Sequence, residues 1–179
     1  MNFPETKDAP GSLYPGKLLC FGMGFSSQAL ARRLVPQGWQ VSGTVRGVQD
    51  EAKLRNISVV NYDCSNSTLE ISEAISRSTH LLITIPPQPS GDVVLENFAE
   101  EISRARQLQW IGYISSTGVY GDTQGEWVDE SSPLLASTDR NRQRIEVESA
   151  WLKIGKDYGL PVMIFRCVVT RLIWPVCEN

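Results

Sequence analysis

"KLLCFGMGFSSQALARRLVPQG", Lys17–Gly38, decides the fold of this chain. Lys17–Gly22 is a short apolar run closed by glycine, as a buried strand is. Ser26–Gly38 changes period: Ala29, Leu30 and Leu34, with the stem of Arg33, share one helical face, and Gly38 is a stop signal. A strand, a glycine turn and a helix in that order open a βαβ unit. The alternation then continues. Trp39–Arg46 reads as a strand, Val48–Asn56 as a short helix and Ile57–Asp63 as a third strand. Ser67–Arg77 reads as a helix, His80–Pro87 as strand four, Leu95–Gln109 as a helix and Trp110–Ser116 as strand five. Arg140–Gly159 is a long helix, and Leu160–Arg166 is strand six. Strands separated by helices of this length require crossover connections, which gives an α/β, Rossmann-type doubly wound parallel sheet with helices on both faces.

The bounds agree with a single domain. The chain has 179 residues, 41% of them hydrophobic and 21% charged, enough to bury about 70% of its unfolded surface. A net charge of −3 argues against nucleic acid or an anionic membrane as main partner. No apolar run approaches the ~20 residues that span a bilayer. Residues 1–16 carry Glu5 and Asp8, resemble no targeting signal, and read as a flexible leader of a cytoplasmic protein. The Rossmann domain is placed at 17–166 and a divergent tail at 167–179. Cys20, Cys64, Cys167 and Cys177 form no CxxC pair, and His80 is the only histidine, so no metal site is expected. Cys20 and Cys64 lie in strand-like apolar runs, where cysteine packs as a small hydrophobe.

The turn "GMGFSS", Gly22–Ser27, has the spacing of a dinucleotide-binding loop. Gly22 permits the tight turn, Gly24 lets backbone approach a pyrophosphate, and Ser27 is small enough for close packing of helix on strand. The helix N-terminus at Phe25, Ser26 and Ser27 favours the anion. Ser26 or Ser27 is also a candidate cap. The alternative is a glycine turn that binds nothing. About 20 residues on, NAD-selective folds carry an acid for the ribose 2′-hydroxyl. Here "GTVRG" supplies Thr44 and Arg46 instead. A guanidinium suits a 2′-phosphate, so NADP is the expected cofactor and NAD the alternative. A solvated Arg46 is the competing reading.

Taken together, these features resemble the extended short-chain dehydrogenase/reductase superfamily, in its atypical epimerase/dehydratase-like branch. The resemblance spans Lys17 to Arg166. It rests on the glycine turn, "TIPP" after strand four, "SSTGVYG" after strand five, and the long helix with "EVESAWL". It implies that Asp63 contacts adenine, that Ile85, Pro86 and Pro87 lie along the cofactor ribose, and that Ser115 and Ser116 lie near the nicotinamide. Ser116 matches the family's catalytic serine or threonine.

Two departures qualify the resemblance. The family's tyrosine and lysine, four residues apart on the long helix, align with Arg140 and Arg144. Arginine, with pKa above ~12, cannot cycle a proton. Arg144 is left to hold a ribose hydroxyl, or else Arg142–Glu146 and Arg144–Glu148 are i,i+4 pairs on an exposed face. Tyr120 is the candidate substitute donor, unless its ring packs under the loop. Asp129 and Glu130 are read as loop hydrogen-bonders, and Trp127 as a lid or a packed aromatic. The second departure is the end of the chain: where the family continues into a substrate-binding lobe, this sequence reads "CVVTRLIWPVCEN", as a truncated form would. The expectation is an NAD(P)-binding protein with weak or no catalysis. The alternatives are an active NADP-dependent oxidoreductase or sugar-nucleotide epimerase, and a non-catalytic NADP(H) sensor or interaction module. Its partners are the dinucleotide and an unspecified small molecule; a homodimer stays open.

Overall fold

The structure, a computed structural model, describes residues 15–47, 56–64 and 68–168. The expected leader up to residue 14, most of the helix at Val48–Asn56, and the tail beyond residue 168 lie outside the described residues. Six strands form one parallel sheet: β1 (Lys17–Phe21), β2 (Gln40–Val45), β3 (Ser58–Asn61), β4 (His80–Ile83), β5 (Trp110–Ser116) and β6 (Val162–Cys167). Their spatial order is β3-β2-β1-β4-β5-β6. The connection from β3 to β4 passes over β1 and β2, so the winding reverses between β1 and β4, which is the switch point of a doubly wound fold.

Alternation along each strand divides the core in two. Leu19, Phe21, Leu81, Ile83, Ile111 and Tyr113 face one side, under α2 (Leu69–Arg77), α3 (Val93–Arg104) and α4 (Asp139–Tyr158). Leu18, Cys20 and Leu82 face the other, under α1 (Phe25–Leu34). Strands buried on both faces read as continuous apolar runs rather than alternating ones, which is why β1 and β4 were legible. The buried side of α1 is Ser27, Leu30, Ala31 and Leu34 rather than the face through Ala29 and Arg33, both of which are exposed. The spacing is the same, shifted to the residues small enough for helix and sheet to meet closely.

Cys20 is a core hydrophobe whose thiol burial pushes up to about 12. Cys64 is not in a strand. It lies beyond β3 with φ +71°, a left-handed conformation uncommon for a side-chain-bearing residue.

Trp151 of α4 is the largest fully buried side chain and stacks on Tyr113 with ring centroids 6.5 Å apart. Its indole Nε1 donates to Asp92 Oδ2 at 3.2 Å, and Asp92 in turn caps α3 through Val94 N and Leu95 N. Trp151→Ala should therefore destabilise by about 3–5 kcal/mol from lost packing alone. Urea unfolding checks this; a loss below about 1 kcal/mol would show that the helix layer does not depend on this contact.

Candidate functional site

The C-terminal ends of β1, β2 and β4 surround a cavity of about 490 Å³. Its floor is the turn after β1. Gly22 has φ +95°, and an added Cβ would come within 2.6 Å of Thr84 Oγ1, so no other residue fits. Three hydroxyls brace the turn. Gly22 N donates to Thr44 Oγ1 at 2.8 Å, while Ser27 Oγ and Thr84 Oγ1 donate to Gly22 O at 2.6 and 2.8 Å. Thr44 and Ser27 are both buried. They shape the loop.

Gly24 differs. A Cβ there would meet nothing within 4 Å. It is also the N-cap of α1, and no side chain caps that helix, whereas Thr68, Asp92 and Thr138 cap α2, α3 and α4. The expected cap from Ser26 or Ser27 is therefore corrected: Ser27 Oγ turns back to Gly22 O, and Ser26 is exposed. The first amides of α1 keep their donors and the positive end of the helix dipole, beside open space at Gly24. A phosphate fits that combination, and the residues present suit a dinucleotide.

The cavity brings together Gly22, Gly24, Thr44, Arg46, Ile85 and Pro86 from the expected cofactor set. Phe25, Ser26, Ser27, Asp63, Pro87 and Ser115 do not line it. Phe25 is 89% exposed beside the turn, Asp63 is exposed next to the cavity, and Ser115 is buried within β5. Sequence reasoning missed Met23, Gln28, Val45, Tyr62, Cys64, Thr84 and Gln88. Thr84 was within reach, as the only hydroxyl in the strand-end "TIPP". Tyr62 and Cys64 flank Asp63, and the left-handed turn at Cys64 is what brings that thiol to the wall. Among the described residues, Arg46 is the only charged one lining the cavity.

Around β5 each of the expected catalytic residues has partners of its own. Ser116 opens a 3₁₀ turn, Thr117–Tyr120, and its Oγ accepts from Gly118 N at 3.2 Å. Tyr120 is buried, and its hydroxyl accepts from Arg166 Nη1 at 2.9 Å. Arg140 is exposed and Arg144 half-buried. The supposed pairs on α4 do not form as read. Arg142 bonds Asp139 and the Ser137 carbonyl, and Glu148 turns inward to Arg166, which reaches it from β6. Arg144 instead approaches Tyr113, whose buried hydroxyl has no hydrogen-bond partner. Burial raises the Tyr113 pKa, with Asp92 adding to the rise and Arg144 opposing it. Trp127 is 99% exposed, so it is not a packed aromatic; Asp129 accepts from Ser131 and Ser132 and organises its own loop.

Comparisons with known proteins fit this geometry. No protein-family model matches the chain. Protein YeeZ of Escherichia coli K12 is 30% identical over 150 residues, covering 76% of this chain and 53% of that protein. The chain thus spans about half the length of the curated relatives it matches. A conserved protein of unknown function from Silicibacter pomeroyi DSS superposes with a TM-score of 0.72 at 38% identity, over 84% of this chain and 52% of that one. A protein from Methylobacillus flagellatus, proposed to be an NAD-dependent epimerase/dehydratase, gives 0.66 at 25%, over 86% and 54%. UDP-glucuronic acid 4-epimerase of Bacillus cereus, solved with NAD, shares the fold at 0.65 and 17%, over 84% and 56%.

Proposed function

We propose that this chain, whose Rossmann domain is that of the NAD(P)-binding epimerase/dehydratase superfamily, binds a dinucleotide, favours NADP(H), and turns over weakly or not at all. The observation that carries the cofactor reading is the charge of the cavity. A site for an unphosphorylated ribose places a carboxylate at the end of β2, and among the described residues Arg46 is the only charge lining this cavity. A guanidinium offers a 2′-phosphate paired donors and repels nothing on it. Gly24 and the uncapped start of α1 supply the pyrophosphate end.

The experiment is a titration of NADPH and NADH into the unmutated protein, repeated on Arg46→Asp. NADPH should bind tighter by about tenfold or more, the worth of one charge-assisted contact, and the substitution should reverse the order. Tighter NADH binding by the unmutated protein would remove Arg46 from the ribose site.

The catalytic half of the reading rests on the tyrosines. Among the described residues, Tyr113 is sealed in the core and Tyr120 is held by Arg166. Tyr62 donates to the Val93 carbonyl, and Tyr158 closes α4, away from the strand ends that form the cavity. None presents a free phenol to the cavity, and the aligned positions on α4 are arginines.

A further inference from the structure

Glu148 is a carboxylate at 2% exposure in the middle of α4. A charge so placed persists only when paired and hydrogen-bonded. Ser115 Oγ donates to Oε1 at 2.5 Å. Arg166 Nε lies 3.3 and 3.1 Å from the two oxygens, and Nη2 donates to Oε2 at 2.8 Å. The remaining Nη1 donates to Tyr120 Oη, and the guanidinium carbon sits 5.1 Å from the Tyr120 ring centroid. One carboxylate therefore joins α4, the ends of β5 and β6, and the turn after β5.

That turn is held at both ends by the same pair. Ser116 follows the tethered Ser115, and Tyr120 closes the turn that Ser116 opens. Between them, Gly118 lies so close under α4 that an added Cβ would stand 2.7 Å from Asn141 Nδ2. In a doubly wound sheet each half takes one mononucleotide across the switch point. The cavity at the ends of β1, β2 and β4 takes the place of the first half-site, and the ends of β5 and β6 lie where the second would fall. We infer that the Glu148–Arg166 pair is the positioning element of the nicotinamide half-site, fixing the Ser116–Tyr120 turn that forms its floor. The inference rests on the dinucleotide reading above.

A pair serving stability alone is replaceable by apolar side chains of similar volume, so Glu148→Leu with Arg166→Met separates the two roles. NADPH and adenosine 2′,5′-bisphosphate, which is the adenine half alone, are titrated into both proteins. The double variant should bind the half-ligand unchanged and NADPH about tenfold more weakly. Equal changes for both ligands, or unchanged NADPH, overturn the inference. If the double variant lacks a native circular dichroism spectrum, Arg166→Lys replaces it; this keeps a charge against Glu148 and gives up the Tyr120 contact. It should weaken NADPH alone by about threefold, and the same two results overturn the inference. An unmutated protein that binds the half-ligand as tightly as NADPH has no nicotinamide half-site, and this inference falls by itself. One that binds neither ligand refutes the dinucleotide reading and this inference together.

Discussion

Gly24→Val is expected to abolish dinucleotide binding while the protein stays folded. The backbone at Gly24 has φ −83° and ψ −164°, an extended conformation open to valine, and a Cβ there meets no protein atom within 4 Å. The cost to the fold is confined to a poorer helix start, about 1 kcal/mol. The ligand pays far more. The same empty volume lies between the turn and the uncapped amides of α1, where backbone must come close to a pyrophosphate. Losing two charge-assisted hydrogen bonds at about 1.5–3 kcal/mol each removes two to four orders of magnitude in affinity. NADPH fluorescence titration against a circular dichroism control measures it. Undiminished binding by a folded Gly24→Val protein would put the phosphates elsewhere. Gly22→Val is a poor substitute test, since φ +95° and the contact with Thr84 would disturb the loop itself.

With NADPH and a panel of carbonyl compounds and sugar nucleotides, the chain is expected to stay well below the ordinary turnover range of about 1–10³ s⁻¹. Reduction of a carbonyl leaves an alkoxide that needs a proton, and a placed acid is worth about 10²–10⁴ in rate. Arg140 and Arg144 occupy the aligned positions on α4 and keep their protons at any working pH. Tyr113 is near Arg144, yet it is wholly buried and its hydroxyl is held in the protonated form by burial. Ser116 can donate a hydrogen bond to a substrate oxygen, but nothing described beside it can relay a proton. NADPH oxidation followed in absorbance decides the matter. Rates inside the ordinary range would overturn the expectation and direct attention to Tyr120, which closes the turn that Ser116 opens.

The legible part of this protein was the part governed by neighbours in sequence. Apolar runs ending at Gly22, Pro87 and Ser116 gave strands β1, β4 and β5; the first and last hold to within a residue, β4 stops four residues early at Ile83, and the period change at Ser26 gave α1. The parallel sheet followed, because strands joined by helices have few other ways to close. Position in the glycine turn was equally readable at Gly22, which needs its positive φ. The departure at Arg140 and Arg144 was visible as plain residue identity.

Partner choice was not legible. Glu148 four residues after Arg144 read as an exposed helical pair, and the fold gave it to Arg166, eighteen residues away and one strand over. Thr44 read as part of the cofactor set, and the fold gives it a second task, bracing Gly22 from the cavity wall. Cys64 read as a small hydrophobe in a strand-like run; it packs on the core from beyond β3 and also stands on the cavity wall. In each case the local pattern fixes which residues share a face. Which face is buried, and which polar group arrives there from another element to meet it, depends on how the sheet and helices pack. Removing a charge or hydroxyl from water is so costly without a partner that the three-dimensional neighbours, and not the sequence neighbours, settle the pairing.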